Sequence, residues 1–165
     1  AQETIGSFTQ LYQAKWLEMM RSKLGMLDSK PDDEQLIVEL LEWMKINQAD
    51  YTNTFRDLSQ LDKPLGKLYD RNDFNIWYKS WQDRLAKSKH DKKAALRVMK
   101  QYNPAIIPRN HNVEAALKAA VEGDLNVFQN LLDALKVPYE DTEQLKPFQS
   151  PPKPSDRVYQ TFCGT

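Results

Sequence analysis

Apolar residues in this chain recur at three- and four-residue spacing almost from end to end, and nowhere do they alternate. That periodicity predicts helices and leaves no segment that reads as a strand. Phe8, Leu11, Tyr12, Trp16, Met19, Met20 and Leu24 mark the first helix, and Gly25 is placed to end it in a left-handed conformation. Pro31 and the acidic run 32–34 then open a second helix, since carboxylates complement the exposed N–H groups of a first turn. Leu36, Ile37, Leu40, Leu41, Trp43 and Met44 carry it to about Ile46. Asp50 reads as the cap of a short third helix with Tyr51, Phe55 and Leu58 inside, and "DKPLG" at 62–66 reads as a turn.

"NDFNIWYKSWQDRLAK" is a fourth helix, capped by Asn72 or Asp73, with Phe74, Trp77, Tyr78, Trp81 and Leu85 on one stripe. "HDKKAALRVMKQYNP" is a fifth, stopped at Asn103-Pro104. "NPAIIPRN" cannot be helical throughout, because each proline biases the residue before it towards extended backbone. A helical hairpin over about 112–136 follows. Ala115, Ala116, Ala119 and Ala120 give it a thin face, Gly123-Asp124 joins its arms, and Val127, Phe128, Leu131, Leu132 and Leu135 form its buried side. After Pro138 the periodicity fades and prolines accumulate. The expected fold is all-α: an irregular bundle of about seven helices over 1–138, then a proline-rich tail over 139–165 carrying a terminal Cys motif. No heptad persists long enough for a coiled coil.

Charge narrows the partners. Lys plus Arg number 23 and Asp plus Glu number 23, so the net charge is zero. A nucleic-acid binder or a polybasic membrane surface would show a basic excess, so neither is expected. No apolar run is long enough to span a bilayer. The first ten residues lack the basic and apolar regions of a signal peptide, and a first residue of Ala suggests upstream residues were removed. A single cysteine makes no internal disulfide, so the cytoplasm is the expected location.

Little in the chain has the pattern of a catalytic site. His90 and His111 stand about twenty residues apart with no Cys or carboxylate at ligand spacing. "RND" (71–73) and "DFN" (73–75) echo kinase triplets but overlap each other, and no glycine-rich loop precedes them. The aromatic stripe at 74–81 reads as core rather than a base-stacking platform. No serine sits in a nucleophile elbow. Arg109, Asn110 and His111 follow a stiff double-proline loop and form a candidate interface. Arg109 could grip a carboxylate or phosphate bidentately. More plainly, it could satisfy loop carbonyls and tie the loop to the bundle.

These stretches carry a resemblance. "NPAIIPRNHNVEAALKAAVEGD", "LLDALKVPY", "PPKPSD" and the terminal "YQTFCGT" resemble the C-terminal end of the selenoprotein O (YdiU) family. "WLEMMRSKLGM", "QADYTNTFRDLSQL" and "WYKSWQDRL" resemble the same family's helical C-terminal region. The resemblance implies a kinase-like parent that transfers AMP from ATP to protein hydroxyls with Mg or Mn. Its nucleotide and metal ligands belong to a part that precedes this region. No catalytic, cofactor-binding or metal-binding residue is therefore carried over, and no cofactor is expected in this chain. Cys163 matches the position that is selenocysteine in some members, which makes it the redox candidate. It could pair with a cysteine in the catalytic part. The expected partner is that kinase-like part of the same protein, with other proteins also conceivable. The alternatives are a stand-alone helical interaction module and a small-molecule binder with a pocket lined by Trp and Met. Packing against a catalytic lobe would leave an apolar patch uncovered in the isolated chain.

Overall fold

A computed structural model describes residues 2–60 and 62–153, with side chains from residue 7 onward. Among these residues it is all helical, with no strand. The helices are α1 (Gln2–Lys23), α2 (Asp33–Asn47), α3 (Tyr51–Leu58), α4 (Asn72–Ala86), α5 (Lys92–Tyr102), α6 (Asn110–Val121), α7 (Asn126–Lys136) and the short α8 (Lys146–Gln149). A 3-10 turn, Glu143–Leu145, precedes α8. The chain divides into two compact units, Ala1–Asn103 and Pro104–Thr165. Composition changes character at Pro138, whereas this division falls at the Asn103-Pro104 junction.

The first unit is built around the α4 stripe. Phe74 is wholly buried, its ring centroid 4.8 Å from Trp43 and 4.9 Å from Tyr69. Trp77 and Trp81 stack at 5.8 Å. A buried indole N–H needs an acceptor, and each finds a backbone carbonyl. Trp77 Nε1 donates to Leu36 O and Trp81 Nε1 to Leu24 O, both at 2.9 Å. These bonds fasten α4 to the start of α2 and the end of α1. The stripe is core, as its spacing predicts. Tyr69 Oη donates to Asp57 at 2.6 Å, and burial together with that carboxylate pushes the phenol well up.

Three helix ends follow local chemistry closely. Asp50 and Asp91 accept the Asn53 and Ala94 N–H groups at 2.8 and 2.6 Å, as N-caps do. Gly25 takes φ +69°, and a Cβ there would lie 2.9 Å from Met99 Sδ. Glycine thus serves both the turn and the close approach of α5. The start of α4 differs from its sequence expectation: its cap position is Arg71, neither Asn72 nor Asp73, and makes no side-chain cap bond. Asp73 instead sits in the first turn, accepting from Phe74 N at 2.8 Å and from Trp43 Nε1 at 3.2 Å. The Arg71 guanidinium beside it, aided by these donors, brings its carboxyl down to about 2.

Two polar clusters lock the unit. Asp33 is buried and receives Arg84 Nε at 2.6 Å, Arg21 Nε at 2.7 Å and the Lys30 N–H at 2.9 Å. Burial opposes its ionisation, but the donors outweigh burial and its pKa falls. The second cluster closes α5. Asn103, almost wholly buried, donates to Lys23 O at 2.8 Å and Ser59 Oγ at 2.9 Å. Arg56 Nη1 donates to Asn103 O at 3.0 Å. Lys23 Nζ reaches Tyr102 O and Asn103 Oδ1, both at 3.1 Å, and burial pushes its pKa down.

The second unit has a smaller core. Ala105, Ile106 and Ala134 are its buried cluster, with Leu135, Leu145 and Phe148 packed against it. The Ala105 and Ile106 N–H groups both donate to Pro138 O, at 2.8 and 3.1 Å. The loop before α6 is thereby joined to the end of α7. Part of the proline-rich stretch is thus ordered by docking, through Leu145 and Phe148.

Candidate functional site

The candidate interface residues sit where the loop turns into α6. Arg109 is the N-cap residue and is buried; its carbonyl accepts from Asn112 N at 2.9 Å and Val113 N at 3.0 Å. Asn110 is exposed and His111 half-buried. His111 Nδ1 and Asn112 Nδ2 are buried atoms with no hydrogen-bond partner among the described residues. Such atoms are costly unless something else satisfies them. Cys163 lies outside the described residues.

Beside this loop the α6–α7 hairpin differs from its sequence expectation. Helical spacing marks Val127, Phe128, Leu131, Leu132 and Leu135 as a buried side, yet only Leu131 of these is buried. Phe128 is 44% and Leu132 40% exposed, and Leu117 on α6 is 49% exposed. Of the four alanines of the thin face, Ala116 alone is buried. The reason is geometric. Two packed helices cover each other's seam but not their flanks. What remains is an apolar groove of about 140 Å³, lined by Val113, Leu117, Phe128, Leu131, Leu132 and Leu135 around Ala116. Periodicity shows that a face is apolar; it carries no information about what covers it.

Two larger cavities lie in the first unit. One of about 370 Å³ is bordered mainly by Lys30, Asp32, Gln35, Glu39, Ser80 and Lys87. The other, of about 280 Å³, has Gln82, Ser88, His90, Asp91 and Lys92 on its wall. Neither is lined by Trp or Met, because those side chains are spent on the core.

No group of three or more His, Cys, Asp or Glu gathers among the described residues. Asp28 and Asp33 do converge, but on Arg84, whose Nη1 reaches Asp28 at 3.2 Å while its Nε holds Asp33. A carboxylate pair neutralised by a guanidinium is a structural tie. No helix here is long and apolar enough to cross a membrane, judged over the described residues.

The described residues are all helical and leave an apolar groove open on the α6–α7 hairpin. Comparison with known proteins shows the family. The sequence model of the protein adenylyltransferase SelO family matches residues 1–136, and the chain belongs to that family. It is 46% identical over 166 residues to the protein nucleotidyltransferase YdiU of Nitrosococcus oceani. It is equally similar to that of Alkaliphilus metalliredigens and 44% identical to that of Alcanivorax borkumensis. Each match covers 100% of this chain but 34% of the relative, so the chain spans about a third of their length.

Proposed function

We propose that this chain is the helical, non-catalytic region of a kinase-fold protein adenylyltransferase, and that it packs against the catalytic part. The parent would move AMP from ATP to protein hydroxyls, with ATP and its Mg or Mn held by residues outside this chain. The open α6–α7 groove carries the reading. A contiguous apolar flank beside two unsatisfied buried nitrogens, on His111 and Asn112, is what one half of a packed interface looks like when its other half is removed. Family membership over a third of the relatives' length supports drawing that half from the rest of the same polypeptide.

Labelled ATP tests this. The 165-residue chain alone is expected neither to bind ATP nor to label itself, whereas the longer polypeptide containing it does both. Label on the isolated chain, with metal held by its own carboxylates, would overturn the reading. A stand-alone interaction module would instead leave the longer polypeptide's nucleotide transfer unaffected when this region is cut away.

A further inference from the structure

Helix α1 carries one apolar row that is covered at one end and open at the other. Leu17 and Met20 turn towards the bundle, with Trp16 beside them. Phe8 and Tyr12 continue the i, i+4 row of Trp16 and Met20 towards the N-terminus, with Leu11 and Met19 on its flank. Phe8 is 68%, Leu11 59% and Tyr12 61% exposed, and every side chain from Ser7 to Lys15 is exposed. Phe8 and Tyr12 stack on each other at 6.5 Å, so the open end of the row is already assembled. An apolar row that runs on beyond the side chains it packs against is expected to be covered by something else.

We infer that the open end of the α1 row, from Phe8 to Tyr12, is a second docking face, and that its occupant is the catalytic part of the same polypeptide. This rests on the function proposed above. Three observations favour that occupant. The relatives hold twice as much polypeptide outside the matched stretch as within it. Lys15, on the same face, is neutralised by Glu18 at 2.8 Å, so nothing selects a charged ligand. The stripe offers on the order of 400 Å² of apolar surface, about half of what each partner gives in a stable dimer. A second copy would therefore be held weakly. A segment of the same chain needs no such area, because tethering supplies a high effective concentration.

The test is Leu11→Glu with Tyr12→Glu, made in the longer polypeptide and in the 165-residue chain. The longer polypeptide is expected to melt at least about 4 °C lower, while the short chain melts as before. An unchanged longer polypeptide overturns the inference, as does an equal fall in both, which would make these residues part of the bundle's own fold. A short chain that dimerises until the substitutions are made, with the longer one monomeric and unaffected, assigns the face to a second copy and overturns it too. Leu132→Glu on the α6–α7 groove runs in parallel. If it destabilises the longer polypeptide while the α1 pair does not, only this inference fails. If both are silent, the packing function fails with it.

Discussion

The two units solve the same problem with unequal means. Residues 1–103 bury large side chains: Phe74, Phe55, Ile37, Leu40 and three tryptophans, each buried indole N–H satisfied by a carbonyl or a carboxylate. The described residues from 104 onward bury three alanines, with Ile106, Leu131 and Arg109 the larger side chains, and leave Phe128, Leu132 and Leu117 half open. Burial scales with apolar area, and an alanine removes far less of it than a tryptophan. The first unit thus completes its core from its own residues, while the second presents a core that is half built. On the function proposed above, an interface completes the second.

Substitutions at four positions can break or sharpen this contrast. Phe74→Ala removes a fully buried ring that touches Trp43, Tyr69, Trp77 and Tyr78. Urea unfolding of the first unit should show a loss of about 4 kcal/mol; a loss below 1 would mean that the aromatic core is not what holds it.

Asp33→Ala strands Arg84 and Arg21, and should cost about 3 kcal/mol at neutral pH. The carboxyl's folded pKa lies below its ordinary value, so its stabilisation is complete above about pH 4. It fades as pH falls through the folded value. The stability gap between the parent chain and Asp33→Asn should accordingly narrow from pH 7 to pH 3. A gap that stays constant contradicts the charge assignment.

Gly25→Ala meets both a positive φ and Met99 Sδ, and should cost about 2 kcal/mol. Chemical denaturation measures it. At the other end of the scale, Leu132→Ser in the isolated chain should change stability by less than about 0.5 kcal/mol, because its side chain has little to lose there. A loss of 2 or more would mean that the groove is already filled.

Much of the first unit was legible in the sequence. Spacing alone marks Phe74, Trp77 and Trp81 as core, Asp50 as a cap, Gly25 as a helix stop and Asn103-Pro104 as the end of α5. Those features are local, and local chemistry dictates them. Asp33 was not legible. In "DDE" it reads as one more acid at a helix start, and its partners lie 12 and 51 residues away. Where the α1 row stops being covered was also hidden, since one periodic list of apolar residues runs through both parts. The α6–α7 groove was half legible: its apolar side was evident, its openness was not. Openness depends on what else packs there, and no residue within the hairpin encodes that. Family membership was the most readable feature, carried by the stretch from Tyr102 to Asp124 and by the terminal motif.

The contrast between the units reduces to whether α6 and α7 wait for a partner. Amide hydrogen exchange, measured on the 165-residue chain and on the longer polypeptide containing it, asks this directly. Protection in α6 and α7 should rise on going to the longer polypeptide, while α2 and α4 exchange alike in both. Equal protection of α6 and α7 in the two would contradict the account, because the hairpin would then be as complete alone as it ever becomes.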